Sequence, residues 1–586
     1  MTRPSVLGVF LIALATLPAA RAEAPAGPAD TIYSGGDIIT MRTREPEQVE
    51  ALAVKNGRIL FVGPAAEAKQ LAGPATRVVD LGGRTMLPGF IDTHGHMVYF
   101  GKNLVDADLF GCTDVADLVA RMKKQAARTP ADGWIVGFGY VARKLEEGRP
   151  PLIEELDMVS TARPVMIVDS SGHAGAGNSV VFRAAGITAD TPDPTGGKFT
   201  RKADGRSLLG PMEETALNAV RSRRPHFTGE LADRAIKGAA EVWASHGHTT
   251  AMEAGLGLGE DDIGIVTNAI DKQLLPIDLY IAAKDSAVDA SIAAAYTVSS
   301  KYNPGPDGTL AKLRAARPDL DKRYVNRVRL GGIKLWLDGS LDTAWFTQPY
   351  TSNPPGKTGT YAGYRQIPDA VVDAAFDRFW PTEMQIHLHM NGDAAADQAL
   401  AAIAKAVKKH GMRDHRPVFV HATYLRPDQI EKMKACGAVP TFLTAGVATG
   451  GDAVLKFWGS ERAAVAMPAR TFLRMGLPFT FSHDAPVSPI PSVLALVDAG
   501  VNRLAASGTT VGPDERVPPY AALAAVTSTA AYEIKEEKTK GTLEPGKLAD
   551  LVILDKNPLT VPPTTIKDIA VVETIKEGKT VYRAGR

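Results

Sequence analysis

Two histidines that follow an apolar segment constrain this chain more than any other feature. Residues 87–96 read LPGFIDTHGH, so a strand-like run leads directly into His94 and His96. Side chains two residues apart on a strand point to the same face, and two imidazoles on one face suit a metal ion. The glycine between them is expected to leave room for an ion or a substrate. An isolated HxH pair is as often structural as functional, so the interpretation depends on residues further along the chain.

Four later segments have the same form, an apolar run that carries a side chain able to bind a metal. They occupy residues 328–339, 384–389, 416–421 and 477–486, and they carry Lys334, His389, His421 and Asp484. Helix-like segments lie between them, at residues 393–410 and 426–436. Strands that alternate with helices predict a parallel α/β sheet. Such sheets place their active sites at the carboxyl ends of the strands, where these side chains would meet.

Further motifs appear in a fixed order along the chain. Beside the opening PGFIDTHGH, the sequence resembles GHxxWxNS, TPDPxGG, a fourth-strand lysine motif, HxxGD, an eighth-strand aspartate motif and GxLxxGKxADL. They lie at residues 172–179, 191–197, 333–340, 389–393, 483–487 and 541–551. In this order the motifs resemble the amidohydrolase superfamily of metal-dependent hydrolases. More narrowly they resemble amidohydrolase family 3, the branch of YtcJ-like proteins and N-substituted formamide deformylases.

The predicted fold is α/β, with a TIM-type (β/α)8 barrel that forms the hydrolase domain over residues 87–540. This stretch is longer than the ~250 residues typical of such a barrel. The excess predicts a large insertion after the first barrel strand, at about residues 100–235. Residues 28–86 and 541–586 are rich in strand signals, including a hairpin at Asn56-Gly57. They predict one small β-sandwich domain built from both termini, as the resemblance also implies.

Residues 1–22 are predicted to be a secretory signal peptide. Arg3 supplies the positive start, residues 6–15 are apolar, and Ala20-Arg21-Ala22 fits the small-x-small cleavage rule. The apolar run is too short to span a bilayer comfortably. The alternative is a buried N-terminal helix. Cleavage would leave a periplasmic or secreted protein without a membrane anchor.

Charge and composition limit the classes of partner that this chain is expected to bind. The net charge is +1 over 586 residues, without a long block of one sign, so nothing points to nucleic acid or an anionic membrane. The expected partner is a small-molecule substrate, and the sequence leaves open whether the chain forms a homo-oligomer. Cys112 and Cys436 are the two cysteines. One disulfide is compatible with them but not indicated, and Cys436 is expected to be a buried thiol.

The predicted ligands form a set rich in imidazole, which suits Zn²⁺ or a similar divalent ion. His94 and His96 are expected to bind one ion, together with Asp484. His389 and His421 would bind a second ion or complete the first site, so one or two ions are expected.

Lys334 is the unusual member, because a protonated lysine would repel a metal ion. The resemblance implies a carbamate, formed from the lysine and CO₂, that would bridge two ions through its oxygens. The alternatives are a salt bridge from Lys334 to Asp338 and a side chain that snorkels to the surface.

Asp484 and His173 are the predicted catalytic residues. Asp484 would be a ligand and general base for a metal-activated water, whose pKa falls toward ~7. A turn residue before Pro486 is the alternative. The resemblance implies that His173 handles substrate, where it would polarise the scissile carbonyl. The alternative is an ordinary loop histidine.

The remaining histidines are expected to support the site or the fold. His387 shares a strand face with His389 and would be a supporting residue, and His483 points away from Asp484 and would pack or support a ligand. Those predicted to be structural are His226, His246, His248, His410 and His415.

Two positions depart from the family pattern. Ala176 replaces the tryptophan of GHxxWxNS, and we expect it to open the substrate-binding pocket. Glu253 stands where the family often has aspartate in GxTTxxD. Neither change removes a predicted metal ligand, and both leave the substrate undetermined.

The sequence therefore predicts an exported enzyme, a metal-dependent amidohydrolase that cleaves an amide or N-formyl C–N bond with metal-activated hydroxide. One alternative is hydrolysis of esters, lactones or cyclic imides on the same scaffold. Another is a periplasmic binding protein without turnover. Asp484 argues against the binding protein, because a binder needs no general base.

Overall fold

The computed structural model describes residues 27–585 except 171, 173, 195–196, 260, 288–323, 355–356 and 383. The predicted signal peptide, residues 1–22, and the predicted catalytic residue His173 lie outside the described residues.

The described residues form 22 strands, numbered here in chain order. They are β1 (Thr31–Ile39), β2 (Gln48–Lys55), β3 (Arg58–Gly63), β4 (Arg77–Asp80), β5 (Thr85–Pro88), β6 (Phe90–Ile91), β7 (Ala107–Asp108), β8 (Ile135–Tyr140), β9 (Val165–Asp169), β10 (Ala174–Gly177), β11 (Gly197–Arg201), β12 (Leu208–Glu214), β13 (His248–Leu256), β14 (Asp278–Lys284), β15 (Val328–Trp336), β16 (Gln385–Met390), β17 (Val418–His421), β18 (Val439–Phe442), β19 (Thr480–Phe481), β20 (Leu551–Leu554), β21 (Val571–Lys576) and β22 (Lys579–Arg583).

The α-helices of the same residues surround and connect these strands. They are α1 (Ala65–Gln70), α2 (Met97–Leu104), α3 (Val115–Ala126), α4 (Ile153–Asp157), α5 (Ser179–Ala185), α6 (Thr215–Arg221), α7 (Gly229–Ser245), α8 (Asp262–Asp271), α9 (Asp369–Phe379), α10 (Asp393–His410), α11 (Pro427–Cys436), α12 (Ala445–Ala453), α13 (Ser460–Ala464), α14 (Ala469–Arg474), α15 (Val493–Asn502), α16 (Pro519–Ala524) and α17 (Ser528–Glu533). None of the helices in this part of the chain is long and apolar enough to cross a bilayer.

The central sheet has eight parallel strands, in the order β6-β13-β14-β15-β16-β17-β18-β19. Parallel sheets are covered on both faces and read as nearly continuous apolar runs, and all nine residues of β13 are buried. The predicted α/β class is confirmed. The pairing of the described strands does not link β6 to β19, the two end strands of this sheet. The chain after β6 nevertheless meets β19, because the Thr93 hydroxyl donates to the Phe481 carbonyl at 3.1 Å.

Helices pack against this sheet as the sequence predicts. The helix predicted at 393–410 is α10. The helix predicted at 426–436 is α11, which begins one residue later, at Pro427. Helix α2 follows the HxH motif and packs on α7. A Cβ at Gly101 would lie 2.4 Å from the Ala235 carbonyl oxygen, so only glycine allows this close approach.

A second sheet joins both ends of the chain. Its order is β22-β21-β20-β5-β1-β2-β3, with β4 also paired to β1. The predicted β2–β3 hairpin is present, and its turn residues Asn56 and Gly57 have φ of 50° and 73°, as a two-residue turn requires. The described strands form this one mixed sheet, and their pairing does not itself divide it into the two layers of a sandwich.

A third sheet lies in the chain between β6 and β13. Its order is β11-β12-β10-β9-β8-β7, and it has its own apolar cores on both faces. It therefore follows directly after the first strand of the central sheet, where the sequence predicts an insertion.

Buried ion pairs tie the C-terminal segment to the amino end of the central sheet. Asp278, at the start of β14, lies 2.7 Å from Lys540 Nζ and 2.6 Å from Lys576 Nζ. Burial opposes ionisation of Asp278, but the two ammonium groups hold its pKa below the ordinary range. The end of the sheet opposite to the predicted metal ligands is thus fixed by charge pairs.

Candidate metal centre

The predicted ligands come from the carboxyl ends of five strands of the central sheet. Side chains at this end converge because parallel strands all finish at the same edge. His94 and His96 follow β6, Lys334 lies near the end of β15, His389 lies in β16, His421 ends β17, and Asp484 follows β19.

The Asp484 carboxylate lies between three imidazoles. Its Oδ1 is 3.3 Å from His94 Nε2 and 3.2 Å from His96 Nε2, and its Oδ2 is 3.9 Å from His421 Nε2. The His94 ring is 5.1 Å from the His421 ring, centroid to centroid. One carboxylate therefore reaches both the first histidine pair and the later histidine.

These distances suit a metal ion. Ligand bonds of about 2.0–2.2 Å in a tetrahedron hold neighbouring ligand atoms about 3.3 Å apart, close to the His94–Asp484 and His96–Asp484 distances. Asp484 Oδ1 is buried and accepts no hydrogen bond from the described residues. A buried anionic oxygen without a donor is costly, and a cation would offset that cost. His94, His96 and Asp484 therefore fit a divalent ion.

The protonation states of His94 and His421 agree with this fit. Burial lowers the pKa of His94 and of His421 well below the ordinary range, so both rings are neutral and able to bind a metal. Burial opposes ionisation of Asp484, but His94 and His96 hold its pKa well below the usual value. Burial also opposes protonation of His96, yet the carboxylates of Asp484 and Glu253 raise its pKa to about 9. Without a metal ion, His96 is therefore the cation beside Asp484, and a bound metal ion would have to displace its proton.

His389 and His421 form the other half of the site. Their rings lie 4.6 Å apart in an edge-to-face arrangement. His389 Nδ1 is 3.2 Å from Asp338 Oδ1, and the Asp338 carboxylate also accepts hydrogen bonds from the backbone of Asn391 and Gly392. The Asp338 carboxylate therefore lies at the Nδ1 edge of the His389 ring, which would leave Nε2 for a ligand.

The surroundings of Lys334 fit neither a salt bridge to Asp338 nor a side chain that snorkels to the surface. Its side chain is fully buried, so it does not snorkel, and Asp338 faces His389 instead of pairing with it. Among the described residues, Lys334 Nζ has no hydrogen-bond partner. Burial lowers the pKa of Lys334 to about 7, although the charge of Asp484 opposes this shift. A large neutral fraction of the amine is thus available near pH 7.

Glu253 lies beside the predicted ligand His96, which the sequence did not suggest. It is 2% exposed, its Oε1 lies 3.5 Å from His96 Nδ1, and its Oε2 accepts the Val98 backbone N–H at 2.7 Å. A carboxylate on Nδ1 directs the Nε2 of His96 toward the metal position. The departure from the family pattern at Glu253 therefore lies beside a ligand.

Gly95, between the two histidines, is needed for a different reason from the one predicted. A Cβ at Gly95 would lie 2.7 Å from Asp92 Oδ2 and 2.7 Å from His483 Cε1. The space is filled by these buried side chains and does not serve an ion or substrate. Asp92 in turn accepts the His94 backbone N–H at 3.0 Å and the Trp243 indole N–H at 2.9 Å. Asp92 and His483 thus support the loop that carries the ligands.

Two ligand positions have a left-handed backbone. His421 has φ of 67° and Asp484 has φ of 54°. Residues with a Cβ rarely adopt this conformation, and the strain concentrates at functional sites because the surrounding structure must hold it. Both residues leave their strands at the positions where their side chains reach the centre.

Ala176 does not line the site. It lies in β10, is fully buried and belongs to the apolar core that includes Ile135 and Ile167. The predicted substrate-binding role of Ala176 is therefore wrong, because the family motif here builds the inserted sheet. Asn178 of the same motif caps α5 by accepting the Val181 backbone N–H at 2.8 Å.

His173 cannot be placed, because it lies outside the described residues. Its neighbour Gly172 is placed, and a Cβ there would lie 3.4 Å from the Tyr99 hydroxyl. Tyr99 is in α2, three residues after His96. Gly172 therefore lies close to the helix that follows His94 and His96.

The other predicted residues have ordinary surroundings. His226 and His410 pair with Asp261 and Asp377, and His415 stacks on Trp380 with ring centroids 4.5 Å apart. Both cysteines are free thiols, and Cys436 is half-buried where a buried thiol was predicted.

Comparison with protein families gives one match over most of the chain. A model described as "Amidohydrolase family" matches residues 77–582. Among curated proteins, the putative amidohydrolase YtcJ of Bacillus subtilis is 25% identical over 94% of this chain and 99% of its own length. The N-substituted formamide deformylase of Arthrobacter pascens is 25% identical over 91% of this chain and 95% of its own length.

Comparison with solved structures finds similar folds among metal-dependent hydrolases. An uncharacterised metal-dependent hydrolase from Pyrococcus furiosus is 25% identical, with a TM-score of 0.69 over 90% of this chain and all of that chain. Another from Pyrococcus horikoshii is 22% identical, with a TM-score of 0.70 over 91% of this chain and 99% of that chain, and supports the fold.

Proposed function

The chain belongs to the amidohydrolase family and is a metal-dependent hydrolase; from this premise we propose that it is an exported enzyme that cleaves an amide or N-formyl C–N bond. The observation that carries the proposal is the buried Asp484 carboxylate between the His94, His96 and His421 imidazoles. Similarity to the N-substituted formamide deformylase of Arthrobacter pascens supports the bond type. The signal-like sequence of residues 1–22 supports export.

The scaffold in this proposal is a TIM-type barrel with a small two-layer β-domain from both termini. Eight parallel strands in chain order and the contact between Thr93 and Phe481 support closure of the barrel. Two ions fit the ligand set best. His94, His96 and Asp484 would hold the first and His389 and His421 the second, with zinc preferred because imidazoles dominate.

A carbamate on Lys334 would link the two ions. The neutral amine nitrogen attacks the carbon of CO₂, a C–N bond forms, one C–O π bond opens onto its oxygen, and the nitrogen loses a proton to solvent water. The product has one negative charge and two oxygens. The buried amine of Lys334 supports this step, because it has no hydrogen-bond partner in the described part of the chain.

The residues then have distinct tasks. When bound, the metal ions polarise the scissile carbonyl and lower the pKa of water toward ~7. Asp484 is ionised and buried, and it accepts a proton from the attacking water as the water oxygen adds to the carbonyl carbon. Asp484 then delivers this proton to the nitrogen, which leaves as the C–N bond breaks. Glu253 and Asp338 hold His96 and His389 in position. His173 is proposed to polarise the scissile carbonyl.

Turnover on matched substrates tests the proposal. Purified protein is incubated with N-substituted formamides, N-acyl amides and the corresponding esters, lactones and cyclic imides. We expect multiple turnovers on a formamide or amide, with acid and amine released in a 1:1 ratio. Turnover of esters, lactones or imides alone would favour the alternative reaction class. Saturable binding without any product would favour a binding protein.

A further inference from the structure

His387 is a buried imidazole that the proposed reaction does not use. It lies in β16, is fully buried, and stands opposite Lys334 of β15 in the strand register. Neither of its ring nitrogens has a hydrogen-bond partner among the described residues. Facing residues on adjacent parallel strands point to the same side of the sheet, so His387 and Lys334 share one face.

The ring of His387 is held by its surroundings. A Cβ at Gly332 would lie 2.9 Å from His387 Cδ2 and 3.1 Å from Nε2, so the ring occupies the space that this glycine leaves. Gly332 is two residues before Lys334 and shares its strand face. The Tyr280 ring, on β14 beyond β15, lies 5.9 Å from the His387 ring, and the Tyr280 hydroxyl donates to Gln385 at 2.9 Å. The imidazole therefore packs against Gly332, and Lys334 is the next residue of β15 on the same face.

Two buried polar groups that have no hydrogen-bond partner among the described residues, the His387 ring and the Lys334 amine, need an explanation. A neutral imidazole has one N–H donor, and the lysine amine is also mainly a donor. Buried donors without acceptors are costly and rare in folded proteins. Two such donors that face each other across neighbouring strands point to an acceptor between them, and a carbamate supplies two anionic oxygens at that place.

We propose that His387 is a positioning residue that donates a hydrogen bond from its ring to a carbamate oxygen on Lys334, and so strengthens the binding of CO₂ by this lysine. The inference rests on the carbamate of the proposed function. A hydrogen bond to a charged group of this kind changes an equilibrium about tenfold to a hundredfold. The bond also fixes the plane of the carbamate, so that both oxygens face the ligand histidines.

Carbon-13 labelling tests this role. The full-length protein is reconstituted with zinc over a range of carbon-13-labelled bicarbonate concentrations in CO₂-depleted buffer. The carbamate carbon is quantified by NMR and the bound zinc by elemental analysis. For His387→Phe we expect the bicarbonate concentration at half-maximal carbamate to rise about tenfold or more. His387→Gln keeps a donor and should recover most of the affinity.

The controls separate the possible failures. His415→Phe alters another buried imidazole whose ring nitrogens lack partners, but stacked on Trp380 away from the site, and should leave the bicarbonate dependence unchanged. If His387→Phe does not fold, His387→Met provides a second variant without a donor. Wild-type bicarbonate dependence in a folded donor-free variant would overturn the role of His387. A wild-type protein with no labelled carbamate would overturn the carbamate itself, whatever the variants do.

Discussion

Lys334→Ala is expected to lose most of its bound metal and to lower kcat/KM about a thousandfold. Two divalent ions ~3.5–4 Å apart repel each other strongly and need anionic ligands between them. Asp484 is one carboxylate, and the pKa values of His94 and His421 make these rings neutral. Without the carbamate the charge of the pair is poorly balanced, and several kcal/mol of catalytic stabilisation are lost, about a thousandfold in rate. Zinc content and kcat/KM on the best amide substrate measure this.

Chemical rescue distinguishes the carbamate from a structural lysine. Lys334→Ala leaves space for a short carboxylic acid, so acetate or propionate should restore part of the metal and the activity. Lys334→Met fills the same space without an amine, and should be as inactive but not rescued. Full metal and normal turnover in Lys334→Ala would make the lysine structural, and would favour a one-metal mechanism that uses Asp484 alone.

Asp484→Asn is expected to lower kcat by about 10²–10⁴-fold in zinc-saturated protein. The amide keeps the size of the side chain and one oxygen that can bind a metal, but it cannot take up a proton at neutral pH. The KM should change less than kcat, because the loss falls on proton transfer in the transition state. Steady-state kinetics at saturating zinc, with metal content measured in parallel, tests this.

Asp498→Asn is the matched control. Asp498 is a half-buried aspartate in α15 whose Oδ1 has no hydrogen-bond partner among the described residues, and it lies outside the ligand set. Its variant should keep normal kinetics. An Asp484→Asn enzyme that retains more than a tenth of the wild-type kcat with full metal would exclude Asp484 as the general base.

Much of the fold could be predicted from local patterns. Continuous apolar runs identify β15, β16 and β17, and their lengths separate them from the helices between. The strand β18 could not be predicted, because it has four residues and Pro440 lies inside it. Proline normally argues against a central strand, and here the neighbouring strands decide the structure.

The sequence could predict the candidate metal ligands but not the residues that lie beside them. A candidate ligand can be recognised in the sequence when it lies at or just after the end of an apolar strand, as His421 and Asp484 do. Glu253 and Asp338 lie in or next to their own strands, and only the packing of the strands brings them to His96 and His389. Ala176 shows the opposite error, since a family motif suggested a pocket where the structure has a core.

Elemental analysis joined to chelation tests the central claim most directly. We expect one to two divalent ions per chain, mainly zinc, in protein purified without added metal. Removal of the metal should abolish hydrolysis of the amide substrate, and zinc should restore it. A protein that remains fully active after the metal has been removed would contradict the assignment of His94, His96, His389, His421 and Asp484 as a catalytic metal centre.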